Sequence, residues 1–373
     1  MEQPRPGEME DDMDSYIVYS NFTSEYEDLY KLLLPENGYT LPEEFNHGLK
    51  ITLAVIYSFL AAGAILGNAC IFMVILITPA LRTATNTFIL SLAASDALVA
   101  AWTMPMQLVF YIRNEWTLGD AMCKATSYVQ GTSILASILT LTAISVERYY
   151  VIWTPIKARY IRSTRTAIFT VMSLWGVAMV IMLPLIWIQR LEQRLALQPE
   201  AVPPIRIAKL CVEYFPKFEY DVLYTYGFFV LFFLGPLGLM TYAYGRMARI
   251  LWLRKYIGEE VVATQVSDKR EAQKRSFVRM LLVIVLCFTL CWLPFFTVHL
   301  VLVHVPFTYR LRVFLAFAKV FGYFNAFINP FIYFFLNRKF NRALRKMVPG
   351  RKCYSGRRSA KYSRKPTTQV TAF

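Results

Sequence analysis

Long apolar runs separated by short polar segments dominate the chain. Each run reaches the roughly 20 residues that an apolar helix needs to cross a bilayer. Backbone polar groups in lipid must be bonded within the segment, which favours helices, and the runs lack the alternation of barrel strands. The pattern predicts an all-α membrane protein, a bundle of seven transmembrane helices. The spans are Ile51–Thr78, Asn86–Ile112, Ala125–Val146, Thr166–Gln189, Val222–Gly245, Met280–Val303 and Val313–Leu336.

The regions outside the bundle of residues 51–336 differ from one another in composition. Residues 1–50 hold twelve acidic and three basic residues, which predicts a disordered extracellular N-terminus. Phe340 and Leu344, spaced i, i+4 among basic residues, predict a short amphipathic juxtamembrane helix at 337–350 on the cytoplasmic leaflet. Residues 351–373 are expected to form a basic, disordered cytoplasmic tail.

Charge outside the spans predicts the orientation of the chain. The segments before span 1 and between spans 2–3, 4–5 and 6–7 hold 12 Lys/Arg and 19 Asp/Glu, whereas the opposite set holds 27 and 5. Because the basic side of a membrane protein is usually cytoplasmic, we expect a multi-pass plasma-membrane protein with its N-terminus outside and its C-terminus inside. The net charge of +15 therefore indicates membrane topology and no nucleic-acid partner.

The cysteines fall into different compartments in this topology. Three lie within spans and Cys353 lies in the cytoplasmic tail, where palmitoylation and a free thiol are both open. By elimination, Cys123 and Cys211 at the oxidising outer face are expected to form a disulfide. Asn21, in the motif Asn-Phe-Thr, is a candidate glycosylation site on the extracellular side.

Asp96 is the only acidic residue within a predicted span. Charges at membrane depth are costly and are usually functional. The polar side chains that could face Asp96 are Asn68, Ser137, Asn325 and Asn329. A carboxylate surrounded by oxygen-bearing side chains can hold a hard cation such as sodium, and the alternative is a water-filled hydrogen-bond network.

Motifs in each span give the chain a family resemblance. Taken in order, they resemble the rhodopsin-like (class A) G-protein-coupled receptors over about residues 51–350. The set is specific because it is complete, although each motif alone is weak. The matching residues are Gly67-Asn68, Leu92–Asp96, Trp116 and Gly119 before Cys123, Glu147-Arg148-Tyr149, Trp175, Pro236 and Tyr244, Phe288–Pro294, and Asn329-Pro330-Phe331-Ile332-Tyr333.

The resemblance implies a receptor that signals to heterotrimeric G proteins and is not an enzyme. Arg148 would receive the G protein, while Trp292 would form the floor of the ligand pocket. The family also implies the sodium site at Asp96, Ser137, Asn325 and Asn329, no other cofactor, and arrestin, receptor kinases and membrane lipids as partners. The implied coupling and switch residues are Glu147, Arg148, Tyr149, Tyr244, Phe288, Trp292, Asn329, Pro330 and Tyr333.

One position departs from the family pattern. Some members hold the resting arginine with an acid at the inner end of span 6, where this chain has Lys274. That ion pair cannot form here, which would leave Glu147 as the resting partner of Arg148.

The positions that recognise small ligands in other members are changed. Gln130 replaces the aspartate of amine receptors, and Tyr323 replaces the retinal-binding lysine of opsins. The segments Tyr128–Gln130, Cys211–Tyr214 and Gly235–Met240 are most similar to neuropeptide receptors of the orexin, allatotropin and neuropeptide FF group. This implies an extracellular peptide ligand, amidated and basic. The candidate contacts are Gln107, Gln130, Glu213, Phe295, Phe296, His299, Lys319 and Tyr323, and each could instead serve in helix packing.

Three alternatives remain at this level. A transporter would need more charges along a pathway and a repeat, and the sequence has no internal repeat. A photoreceptor lacks its lysine. A receptor for a lipid or another non-peptide ligand is disfavoured only mildly, by the acidic outer face. The sequence contains no catalytic motif, no nucleotide-binding glycine loop and no cluster of metal ligands.

Overall fold

The protein is described by a computed structural model that covers residues 45–153, 163–197, 205–250, 265–305 and 308–347. Within them, seven helices are long and apolar enough to span a membrane. The helices are α1 His47–Ile77, α2 Ala84–Arg113, α3 Gly119–Trp153, α4 Thr164–Ile188, α5 Phe218–Ala248, α6 Gln265–Leu302 and α7 Tyr309–Leu336. The seven-helix prediction is confirmed.

The helices extend beyond the uncharged runs because side-chain caps define several of their starts. Asn46 accepts a hydrogen bond from the Leu49 backbone N–H at the start of α1. Thr83 and Thr308 cap α2 and α7 in the same way. A cap oxygen satisfies one of the backbone donors that a helix start leaves open. The first helix therefore begins four residues before the predicted span.

Prolines in α2, α4 and α5 coincide with irregular backbone. A π-helical turn at Val99–Thr103 precedes Pro105 in α2, and another at Val230–Leu234 precedes Pro236 in α5. In α4 the regular helix stops at Met182, and Pro184 starts its last turn. Proline lacks the amide donor that a regular helix needs, so the preceding turn adjusts. In contrast, Pro294 and Pro330 lie within uninterrupted α6 and α7.

The loop between α4 and α5 forms a hairpin that the hydrophobic pattern did not predict. Strands β1, Gln189–Leu197, and β2, Ile205–Glu213, are antiparallel, with Gln189 opposite Glu213. The Trp116 backbone N–H donates to the Lys209 carbonyl, 2.6 Å away. The predicted disulfide is confirmed: Cys123 at the outer end of α3 bonds Cys211 of β2, with Cα atoms 5.6 Å apart. The hairpin is thus fixed across the outer end of the bundle.

Small residues allow the helices to approach closely. A Cβ added to Gly67 of α1 would stand 2.7 Å from the Pro330 ring of α7. One added to Gly322 of α7 would stand 2.9 Å from the Trp292 ring of α6. Both distances are shorter than real carbon contacts, so these glycines set the spacing of α7 to its two neighbours.

The start of α1 is anchored to the outer ends of α2 and α7. Phe45 is buried, and its N–H donates to the Asn114 side-chain oxygen at 3.0 Å. Asn114 ends α2 in the left-handed conformation, with φ of 57°, which asparagine tolerates better than most residues. The Arg312 guanidinium of α7 lies 4.4 Å from the Phe45 ring centre.

A short helix, α8, Arg338–Met347, follows α7 as predicted. Phe340 and Ala343 are buried against the bundle, whereas Lys339, Arg342 and Arg345 are exposed. The basic side chains therefore lie opposite the apolar contact with α7.

Candidate functional site

A cavity of about 430 Å³ lies between the outer halves of the helices, beneath the hairpin. Residues of α2 to α7 line it, together with Gln189 of β1 and Cys211, Val212 and Glu213 of β2. Its size is that of a pocket for a small molecule or a few side chains. The expected contact residues that line it are Gln107, Gln130, Glu213, Phe295, Phe296, His299 and Lys319.

Tyr323 is the exception among the expected contacts. It is fully buried and does not belong to the cavity wall. Its hydroxyl donates to the Gln130 side-chain oxygen at 3.2 Å, while its ring packs on Tyr57 of α1. Tyr323 thus lies behind the wall and orients Gln130, and its direct contact with a ligand stays a prediction.

Two carboxamides of the wall are held in defined orientations. Lys319 donates to the Gln107 side-chain oxygen at 3.3 Å, and Tyr323 holds the oxygen of Gln130. Each amide oxygen already accepts one hydrogen bond, and neither NH₂ group donates to another described residue, so both NH₂ groups are available as donors. These two positions therefore offer donors, suited to a ligand carbonyl.

Acidic groups occupy the wall beneath the hairpin. Glu213, at the end of β2, accepts a hydrogen bond from the Gln189 side chain at 3.1 Å. Protein surrounds Glu213, yet its side chain is accessible to solvent through the cavity. Burial and then the nearby Asp221 carboxylate raise the pKa of Glu213 to about 6, against opposing effects of Lys319 and Gln189. At neutral pH Glu213 is thus mainly charged and suited to a cation.

Aromatic side chains connect the cavity to the core below it. Phe295 lies edge-on to Trp292, with ring centres 5.5 Å apart, and Phe296 packs on Phe233 of α5 at 4.6 Å. Trp292 also contacts Phe288, one turn further in, at 6.3 Å. Trp292 itself lines a second, smaller cavity. It does not belong to the wall of the outer cavity, to which it is linked through Phe295, and its expected place at the pocket floor stays a prediction.

The smaller cavity has a volume of about 10 Å³ and is lined by Asp96, Ser133, Ser137 and Asn325, among others. Asn329 donates to an Asp96 carboxylate oxygen at 2.9 Å, and Ser137 shares a hydrogen bond with Ser95. The side-chain oxygens of Asn325 and Asn329 are buried without a hydrogen-bond partner among the described residues. A carboxylate beside two such oxygens fits a hard cation, and the volume suits one ion or one water.

At the inner end of α3, Arg148 contacts two elements. It donates to Glu147 at 2.8 Å, and it also donates to the Thr85 hydroxyl of α2. The expectation that Glu147 is the one resting partner is therefore corrected, because Thr85 adds a contact that depends on helix packing. The Lys274 side chain lies outside the described residues.

Aromatic contacts surround this inner site. Tyr149 stacks on Trp153 with ring centres 6.0 Å apart, and the Arg246 guanidinium of α5 lies 5.0 Å from the Trp153 ring centre. The contact of Arg246 with Trp153 was not predicted, because residue types alone do not show which side chains of α3 and α5 meet. Tyr244 and Tyr333, the expected switch tyrosines, are both buried, and the Tyr333 hydroxyl has no hydrogen-bond partner in the described part of the chain.

Asn21 and Cys353 both lie outside the described residues. Glycosylation of the first and palmitoylation of the second stay predictions.

The sequence profile described as "7 transmembrane receptor (rhodopsin family)" matches residues 67–333. The chain belongs to this receptor family. This receptor is therefore not an enzyme, and the seven helices, the fixed hairpin and the paired cavities are features of a membrane receptor.

Several receptors named for peptides are similar to this receptor over most of its length. It is 31% identical to the pyroglutamylated RF-amide peptide receptor of Mus musculus, over 79% of this chain and 69% of that protein. It is 30% identical to neuropeptide FF receptor 1 of Homo sapiens, over 89% and 79%. The RYamide receptor of Drosophila melanogaster is 34% identical, over 68% of this chain and 53% of that protein.

Proposed function

We propose that this receptor binds an extracellular peptide with a basic residue and an amidated C-terminus, and signals to heterotrimeric G proteins. One observation carries the proposal. The outer cavity combines an acidic wall at Glu213 and Asp221 with amide donors at Gln107 and Gln130. The similar receptors are named for RF-amide and RYamide peptides, which supports the same ligand chemistry here.

The charges of the cavity suit the end of such a peptide. A guanidinium can pair with the Glu213 carboxylate, and the aromatic side chain of the ligand can pack on Phe295 and Phe296. Lys319, which also lines the cavity, can donate to a ligand carbonyl. The cavity of about 430 Å³ is too small for a whole peptide, so the remaining residues of the ligand would lie outside it, against the hairpin.

Signalling requires that the ligand favours one arrangement of the bundle over another. Trp292 lines the inner cavity and contacts Phe295 of the outer one, and Phe288 continues the contact towards the cytoplasmic half. We propose that ligand contact at Phe295 and Phe296 shifts Trp292, and that Arg148 then leaves Glu147 and Thr85 to receive the G protein. Agonist and G protein must then raise each other's affinity.

We further propose that a sodium ion binds at Asp96, Ser137, Asn325 and Asn329 and favours the resting arrangement. The buried unpartnered oxygens of Asn325 and Asn329 support this site. The ion would supply a positive charge beside Asp96, and the protein groups would supply its oxygen ligands.

The remaining proposals concern location and partners. The distribution of charge supports a plasma-membrane receptor with its N-terminus outside. The exposed bases of α8 would contact anionic lipids, while arrestin and receptor kinases would bind on the cytoplasmic side.

A ligand screen tests the proposed function directly. Cells that express the receptor are exposed to amidated peptides, to their free-acid forms and to lipid ligands, and calcium and cyclic AMP are measured. A response to basic amidated peptides is expected. A response confined to lipids would favour a non-peptide receptor, and substrate flux without G-protein activation would favour a transporter.

A further inference from the structure

His299 faces the outer cavity in a fixed orientation. Its Nδ1 atom lies 2.9 Å from the Phe295 backbone carbonyl oxygen, one helical turn earlier in α6. A carbonyl oxygen can only accept a hydrogen bond, so Nδ1 must carry the proton. In a neutral imidazole the other nitrogen, Nε2, then carries a lone pair and is an acceptor.

The Nε2 acceptor is open to the cavity. None of the described residues donates to it, and it is not one of the solvent-inaccessible polar atoms that lack a partner. His299 is half-buried and lines the cavity wall. An acceptor that is both unpartnered and accessible is available to a ligand.

Packing holds this acceptor in place. The His299 ring lies 4.1 Å from the Phe295 ring, centre to centre, and Phe295 is itself braced by Trp292. These contacts fix the plane of the ring and with it the direction of the Nε2 lone pair.

The two glutamines do not duplicate this acceptor. The Gln107 oxygen accepts from Lys319, and the Gln130 oxygen accepts from Tyr323. Each glutamine oxygen is already partly engaged and each glutamine NH₂ group can donate, whereas His299 Nε2 is an acceptor with no donor among the described residues. A group with one carbonyl oxygen and one N–H, such as a carboxamide, matches this division.

We propose that His299 Nε2 accepts a hydrogen bond from the terminal carboxamide N–H of the ligand and thereby determines the preference for an amide. The inference rests on the proposed peptide ligand and names the residue that reads its end. A carboxylate has no hydrogen to offer there, and an ester places an oxygen lone pair against that of Nε2.

The test compares two ligand ends that differ at one atom. A peptide ending in Arg-Phe is prepared as the C-terminal N-methylamide and as the methyl ester. The two forms have nearly the same size, but the amide has an N–H where the ester has an oxygen. Both compete with the labelled Arg-Phe-amide peptide for the receptor in membranes. We expect the N-methylamide to bind about tenfold more tightly, as for one hydrogen bond to an otherwise unpaired group.

Three variants assign this preference to the proposed acceptor. His299→Leu removes the acceptor and should reduce the ratio to about twofold or less, while His299→Gln keeps an acceptor and should retain most of it. His304→Leu is the matched control, because His304 contacts Tyr226 and does not line the cavity, and it should leave the ratio unchanged. An extracellular tag reports surface expression for each variant.

The outcomes separate this inference from the proposed function. If His299→Leu still binds the Arg-Phe-amide peptide and keeps the full preference for the N-methylamide, the role of His299 is overturned and the peptide receptor stands. If no amidated peptide binds a receptor that reaches the surface, the proposed function and the inference are removed together.

Discussion

Glu213 brings a carboxylate from a strand into a cavity formed mainly by helices. Its position next to Asp221 concentrates negative charge in the part of the wall beneath the hairpin. A ligand cation that pairs with it would leave water to do so, and loss of one partner of such a pair costs more than loss of an exposed contact.

Glu213→Gln should lower the potency of an Arg-Phe-amide peptide more than tenfold, or about 1.4 kcal/mol, because the amide keeps the size of the side chain but removes its charge. The measurement is the concentration for half-maximal calcium release. Glu219→Gln is the matched control, because Glu219 is exposed on α5 and does not line the cavity. Equal potency for both variants would exclude Glu213 from the binding site.

Potency should also depend on pH through the same carboxyl group. Burial and Asp221 raise the pKa of Glu213 to about 6, so the charged form dominates above that pH and is lost as pH falls through it. Lys319, which opposes this rise, and Asp221 are the other charged groups that act on it. The affinity of an arginine-containing peptide, whose cation does not titrate here, should fall between about pH 7.5 and pH 5.5.

The Glu213→Gln receptor is the control for this pH dependence. Its affinity should stay nearly constant over the same range, because no carboxyl group remains at the position. A fall of the same size in the variant would assign the pH dependence to another group.

The role of a single residue was predictable where its chemistry is unusual for a membrane. It was less predictable where the role depends on how the helices pack. Asp96 and the Cys123–Cys211 pair stand out in the sequence by compartment alone. Tyr323 does not, because its distance from the cavity depends on how α7 packs on α3. Thr85 was missed as a contact of Arg148 because the two lie far apart in the sequence and threonine is common in helices.

At the scale of elements, the apolar runs predict the helices but not the hairpin. The strands contain charged and apolar residues in a mixed pattern, and their pairing depends on contacts between separate segments. The π-helical turns before Pro105 and Pro236 were likewise not predicted, since proline alone indicates an irregular turn without giving its form. Helices α1, α2 and α7 begin before the predicted runs because a capping side chain, not hydrophobicity, determines the first residue of each.

Gly67→Ala should destabilise the contact between α1 and α7. The added Cβ would stand 2.7 Å from the rigid Pro330 ring, and overpacking of this kind costs about 1–3 kcal/mol. The temperature of half-unfolding of detergent-solubilised receptor is expected to fall by several degrees.

Gly245→Ala on α5 is the control for the Gly67 substitution, because nothing lies within 4 Å of its added Cβ. Alanine is the better helix former, so this variant should be unchanged or slightly more stable. An equally stable Gly67→Ala receptor would show that α1 and α7 are farther apart than described.

At the scale of the whole molecule, a substitution at the cytoplasmic end should abolish G-protein activation without abolishing agonist binding at the outer cavity. Arg148→Ala removes the side chain that contacts Glu147 and Thr85 and that we propose receives the G protein. Agonist-stimulated nucleotide exchange should fall at least about tenfold, while binding of the labelled peptide is retained. Full exchange activity in the variant would contradict the proposed mechanism.

The fold as a whole was accessible from sequence because the membrane restricts the choice of structure. Seven uncharged runs and a charge imbalance define spans and orientation, and motifs such as Asn329-Pro330 identify the family. The shape of the cavity was not accessible, since it depends on side chains from six helices and two strands. Its residue types could be listed, but His299 acquires its acceptor role only from the Phe295 carbonyl beside it.

The bond between Cys123 and Cys211 has a consequence for the time course of binding. A loop held only by weak contacts could move away from the bundle and let a ligand dissociate. The hairpin of β1 and β2 is bonded covalently to α3, so its movement is limited by that helix. A bound peptide must therefore dissociate through the opening between the hairpin and the outer ends of the helices. The duration of signalling would then depend on the width of that opening as well as on the strength of the contacts between the peptide and the cavity.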